Sequence, residues 1–129
     1  MDDQKSKAFL ESDRFAKENG MEISEIRLGY ARTEMTVTPH HLNGAGILQG
    51  GALFTLADLA FAAASNSHGP LAVGCQTDVT WFKSVSSGRL TAVAEEVVRT
   101  RKLSTCVVRV TDEQNELVAL FKGIAYIKG

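Results

Sequence analysis

Cysteine and proline are scarce in this chain of 129 residues, with two of each. Cys75 and Cys106 stand outside any CxxC spacing, so they make neither a disulfide framework nor a zinc ribbon. That usage fits a reducing compartment, and we expect a cytoplasmic protein. Charge of one sign is also missing. Fourteen Lys and Arg stand against 15 Asp and Glu, a formal net charge of −1, so no broad basic field is offered to nucleic acid or an anionic membrane. Long apolar runs are absent as well. The long uncharged stretch Leu59 to Thr77 is interrupted by Asn, Ser, His, Gly and Pro and is not expected to span a bilayer. The opening MDDQKSKAFL is too polar for a signal peptide. With no repeat, linker or low-complexity segment, the expectation is one domain over residues 1–129, long enough to bury a core.

What is present is patterned apolar sequence. Residues 4–19 have the texture of a short amphipathic helix carrying Ala8, Phe9, Phe15 and Ala16, stopped by Asn19-Gly20. In MEISEIRLGYARTEMTVTP, Ile26, Leu28 and Tyr30 alternate in one phase and Thr33, Met35 and Val37 in the other. Gly29 lies near the change of phase, which predicts a hairpin or a bulge there. HHLNGAGILQGG then reads as a loop. Gly50-Gly51 opens a helix that should run to about Ser67 and end at His68-Gly69-Pro70. Residues 72–82, 88–99, 103–112 and 116–127 are rich in Val, Thr and aromatics and read as strands. Turns fall at Ser86-Ser87-Gly88, Arg101-Lys102 and Glu113-Gln114-Asn115. Strands in series with such short turns must be mostly antiparallel. A helix apolar on nearly every side has to be enclosed. The expected class is therefore α+β: a curved antiparallel sheet of about five to six strands wrapped around one central helix, with a short N-terminal helix.

One residue of that helix does not belong. Asp58 stands between Leu56-Ala57 and Leu59-Ala60 with no opposite charge within a turn or two. An unpaired carboxylate in apolar surroundings costs several kcal/mol or takes up a proton, and groups held at that cost are disproportionately functional. A solvated face or a buried, hydrogen-bonded Asp is the other reading. Gly50-Gly51 also reads two ways: as permissive cap geometry, or as free N–H groups at the positive end of a helix, suited to a developing oxyanion. Gly50 and Asp58 are eight residues apart, about 12 Å along a helix. One carbonyl cannot touch both within a chain. If they serve one bond, a second copy of the helix must supply one of them, and the site lies across a dimer interface.

These residues resemble a known pattern. LNGAGILQGGALFTLADLAFAAASNSHG is similar to the signature region of the hotdog-fold acyl-CoA thioesterases, most of all the phenylacetate-pathway (PaaI-like) type. The family pattern, Asn, a short loop, His-Gly-Gly and then Thr-Leu-x-Asp, reads here as Asn43, Gln49-Gly50-Gly51 and Thr55-Leu56-Ala57-Asp58. The likeness runs over most of the chain, including LVALFKGIAYI near its end. It implies an enzyme in which Asp58 activates the hydrolytic water as general base or attacks the thioester as nucleophile. It further implies that the Gly50 N–H forms the oxyanion hole, that Asn43 of the same subunit places the thioester or the water, and that dimers pair into tetramers. Coenzyme A would arrive as part of the substrate, with no separate cofactor. Gln49 departs from the family His: its amide can donate a hydrogen bond, but it is not a general acid.

The remaining polar residues are weighed in the same way. Lys83, Arg89, Arg101 and Lys102 fall near strand ends and turns, where charge is ordinary. As a group, with Gly51 beside the oxyanion donor, they suit the phosphates of a coenzyme A substrate. His40-His41 is read as loop polarity, since neighbours on an extended chain point apart and no third ligand is suitably spaced, so no metal is expected. His68 is read as a mildly favourable cation at a helix C-terminus. Cys75 and Cys106 are read as small core residues, and Trp81 and Phe82 as core or interface. Two alternatives to hydrolysis stand: a non-catalytic acyl-CoA binding or sensing module, which Gln49 keeps open, and a dehydratase or hydratase, against which the missing loop His counts.

Overall fold

The computed structural model describes residue 10 and residues 12–128. Its elements in chain order are helix α1 (Arg14–Glu18), strands β1 (Glu22–Arg27) and β2 (Tyr30–Val37), a 3-10 turn (Pro39–His41) and helix α2 (Gly50–Ser65). Strands β3 (Ala72–Trp81), β4 (Gly88–Arg99), β5 (Leu103–Thr111) and β6 (Leu117–Ile127) complete the order. The strands form one six-stranded sheet in the order β1-β2-β4-β5-β6-β3, every neighbouring pair antiparallel. After β2 the chain passes through α2, lays β3 on the far edge of the sheet, and then fills the middle with the β4–β5–β6 meander. The sheet wraps the long helix, the hotdog arrangement that the resemblance implies.

Alternation decides which side faces the helix. Ala31, Thr33, Met35 and Val37 of β2 are buried, as are Leu90, Ala92 and Ala94 of β4 and Cys106, Val108 and Val110 of β5. Against them α2 buries Leu53, Leu56, Ala57, Ala60, Phe61 and Ala64. Each large apolar side chain taken fully out of water contributes about 1.5–3 kcal/mol. The small inward residues let helix and sheet approach closely. A methyl group at Gly123 of β6 would stand 2.8 Å from the Phe61 ring, so only a glycine leaves room for that phenyl group. Thr33 points into the same core, and its hydroxyl donates to the Leu56 carbonyl at 2.9 Å. That bond satisfies a buried polar group and ties β2 to the helix.

Several boundaries and exposures differ from expectation. The hairpin turns at Leu28-Gly29 as expected, but α2 stops at Ser65, before Ser67. Asn66 ends it: its Nδ2 donates to the carbonyls of Ala62 and Ala72, and its Oδ1 accepts from the Ala72 N–H. One side chain therefore terminates the helix and starts β3. Of the N-terminal helix expected over residues 4–19, residues 4–9 and 11 lie outside the described residues, Ala8 and Phe9 included. Its described part, α1, is capped by Asp13, which accepts from the Ala16 N–H at 3.1 Å. Ala16 is buried, whereas Phe15 is exposed. Cys75 is exposed on β3 and is not a core residue, because β3 is an edge strand open on both faces over most of its length. Cys106 is buried, and burial pushes its thiol up to about 11. Trp81 and Phe82 are about half exposed on the chain, which removes the core reading for both.

Candidate active site

The loop between the 3-10 turn and α2 is built by its own polar residues. A bridge between Leu42 and Leu48 closes it, and the Asn43 N–H donates to the Ile47 carbonyl at 2.8 Å. The Asn43 Oδ1 accepts from the Ala45 N–H at 2.9 Å and the Ile47 N–H at 3.3 Å. With the oxygen so engaged, the amide nitrogen is the end left without a partner among the described residues. Gln49 is the N-cap of α2: its Oε1 accepts from the Ala52 N–H at 3.1 Å. Cap geometry is one of the two readings of Gly50-Gly51, and the structure gives the cap to Gln49. The Gln49 Nε2 keeps two protons to donate. Gly50 is the first helical residue, and its N–H has no acceptor among the described residues, as the first turn of a helix dictates.

Asn43 and Gly50 line one cavity of about 380 Å³, together with Leu53, Trp81, Phe82 and Lys83. A methyl group at Gly50 would meet the Trp81 indole at 3.3 Å. The glycine therefore keeps the aromatic wall close to the helix start. Two residues with unengaged amide donors thus line a half-apolar hollow at the positive end of a helix, an arrangement suited to a carbonyl that gains negative charge.

Asp58 is not in that cavity. It belongs to a stripe of α2, Gly51, Thr55, Asp58 and Ala62, that the sheet leaves at least partly open, while Ala57 and Leu59 on either side of Asp58 are buried. Its carboxylate has no hydrogen-bond donor among the described residues. Burial pushes its pKa above the usual carboxylate range, and the nearby Asp13 carboxylate adds to the shift. Gly51 and Gln49 line a separate hollow with Thr55, His40 and His41. One chain therefore brings Asn43, Gly50 and Lys83 together and leaves Asp58 about 12 Å further along the helix axis.

Residues 45–119 match the family described as the Thioesterase superfamily. The chain belongs to that superfamily. It is 36% identical over 121 residues to the acyl-coenzyme A thioesterase PaaI of Escherichia coli, covering 93% of this chain and 86% of that one. It is also 46% identical over 105 residues to a candidate esterase of Archaeoglobus fulgidus, 81% of this chain and 68% of that protein. The solved structure of the E. coli PaaI protein superposes with a TM-score of 0.93 at 35% identity, over 98% of this chain and 92% of its own. The α+β hotdog fold and the likeness to the PaaI type are thereby shown.

The cations of this thioesterase-superfamily chain are spread widely. Lys83 is at the cavity, where its ammonium is bound by Asp112 at 2.5 Å and Glu116 at 3.0 Å. Arg89 is occupied elsewhere, paired with Glu22 and with Glu34 at 3.1 Å, and bonded to the Thr36 hydroxyl. Arg101 and Lys102 are exposed in the β4–β5 turn. Arg99 beside them donates to the Ser65 carbonyl, so that turn sits at the C-terminal end of α2, roughly 20 Å from Gly50. Among the described residues no three His, Cys, Asp or Glu side chains converge on a point that could hold a metal, and no helix is long and apolar enough to cross a membrane. His68 lies past the helix end and binds Glu96 at 2.9 Å. Burial opposes ionisation of Glu96, but hydrogen bonds from Ser104, Arg99 and His68 outweigh it and hold the carboxyl below its ordinary value.

Proposed function

We propose that the protein hydrolyses acyl-CoA thioesters at a site shared by two copies of the chain, without a metal or a separate cofactor. The observation that carries the reading is that Gly50 and Asn43, each with an unengaged amide donor, line one half-apolar cavity from which the same chain's Asp58 is missing. The Asp58 of a partner would take a proton from water as the water oxygen bonds to the thioester carbon. The carbonyl oxygen becomes an oxyanion held by the Gly50 N–H. Its collapse breaks the C–S bond, and the thiolate leaves as coenzyme A after taking a proton from the Asp58 carboxylic acid. The raised pKa of Asp58 suits a general base, because burial makes its carboxylate take up a proton more readily than an ordinary one. Direct attack by Asp58 is the competing step, and a single turnover in H₂¹⁸O separates the two: only nucleophilic attack sends label into Asp58.

Leu53, Trp81 and Phe82 in the cavity support a medium-length or aromatic, phenylacetyl-like acyl group. Lys83, Arg101 and Lys102 are offered as phosphate contacts, with the β4–β5 turn reaching the substrate from another subunit; Arg89 would have to leave its carboxylate partners to join them. A dimer is the minimum unit, a dimer of dimers the expected one, and the cytoplasm the expected compartment. The test is release of free thiol from a panel of acyl-CoAs, with Asp58→Asn as control. Turnover by wild type and not by Asp58→Asn supports the reading; no release from any acyl-CoA defeats it. Gln49 favours one second reading, a binding module without catalysis. A wild type that binds but does not hydrolyse, and stays inactive as Gln49→His, would establish it.

A further inference from the structure

His41 is buried, 6% exposed, and both of its ring nitrogens are engaged. The Thr38 N–H donates to Nδ1 at 3.0 Å, and the Thr38 hydroxyl lies 3.3 Å from the same nitrogen. Nε2 lies 2.8 Å from the Asn19 carbonyl. A backbone N–H can only donate and a carbonyl can only accept, so Nδ1 is the acceptor and Nε2 carries the proton. The ring thus bridges the C-cap of α1 to the end of β2. The His41 carbonyl in turn accepts the Gln49 N–H at 2.9 Å. Gln49 is the cap of α2, and the next N–H along the chain is the oxyanion donor Gly50.

We propose that His41 is a positioning residue for the oxyanion hole. Its ring fixes the 3-10 turn, the turn's last carbonyl fixes the Gln49 backbone, and the Gln49 backbone sets the direction of the Gly50 N–H. This rests on the thioesterase reading above. A donor serves an oxyanion only within a few tenths of an ångström of its ideal distance, and a displacement of about 1 Å costs up to ~10²-fold in rate. A side chain that never touches substrate therefore governs turnover.

Three variants separate the bonds. His41→Leu removes both, His41→Asn keeps an acceptor near Nδ1 for Thr38, and His41→Gln keeps a donor near Nε2 for Asn19. The measurements are kcat and KM for the acyl-CoA that wild type hydrolyses best, and amide hydrogen exchange at Gln49. We expect His41→Leu to lower kcat at least ~10-fold with KM within about twofold, and to speed Gln49 exchange by a similar factor, while His41→Asn recovers kcat to within about threefold. A purely structural role would lower the folded fraction and the melting temperature, and leave kcat per folded molecule and Gln49 exchange as in wild type. That result overturns the proposal. Should His41→Leu not fold, His41→Gln decides: unchanged kcat and unchanged Gln49 exchange sink it. A wild type with no thioesterase activity defeats the reading above, and Gln49 exchange then still judges His41 alone.

Discussion

At Asp58 the sequence places a charge where the fold makes ionisation costly. Burial raises its pKa, so the folded chain holds the proton more tightly than the unfolded chain does. The stability that goes with a raised carboxyl pKa is fully present below the unfolded value and is lost as pH rises through the folded value. Asp58→Asn should therefore melt at or above the wild-type temperature at neutral pH, with the difference shrinking on acidification; thermal unfolding at two pH values reads it. The same substitution should lower kcat by at least ~10²-fold, the usual scale for losing a catalytic base. Because only the ionised carboxylate accepts a proton, wild-type kcat should climb as pH rises through that elevated pKa. Charge reversal at Arg101 or Lys102 belongs to the same scale. Contacts to phosphates bind ground and transition states alike, so KM for acyl-CoA should rise more than kcat falls, and short acyl-pantetheine substrates should be unaffected. Asp58 and Gly50 were legible because a lone charge and a glycine pair break a local pattern. The Gln49 cap and the burial of His41 were not. Both depend on partners that local spacing does not name: spacing marks His41 as loop polarity, whereas Asn19 and Thr38 enclose it in the fold.

The elements were legible from periodicity, and their edges from turn residues. β4 occupies Gly88–Arg99 as the alternation predicted, and the hairpin turns where Gly29 changes the phase. Alternation identifies a strand without saying which neighbour it pairs with. The open edge at β3, with Cys75 exposed, came only from the topology. The close packing of α2 on the sheet makes a direct prediction. Gly123→Ala would drive a methyl group to 2.8 Å from Phe61 ring atoms at a site walled by β5 and β3. Overpacking of that kind costs about 1–3 kcal/mol. Denaturant unfolding should show a lower midpoint at unchanged m. A midpoint equal to wild type would mean that the phenyl ring has room to move.

For the molecule as a whole, the proposed donor Gly50 and the proposed base Asp58 stand eight residues apart on one helix, so if both serve one thioester the site is completed by a second copy. Neither Asn43→Ala nor Asp58→Asn protein should then be active alone. The decisive measurement is thioesterase activity after the two are mixed in equal amounts and allowed to exchange subunits. Random pairing puts the two types together in about half of the dimers, and one of the two sites in each keeps an intact Asn43 opposite an intact Asp58. Activity should therefore recover to about a quarter of wild type, by the geometry of a two-fold interface. Free exchange with no recovery, or a wild-type monomer that hydrolyses acyl-CoA, would contradict a site built from two chains.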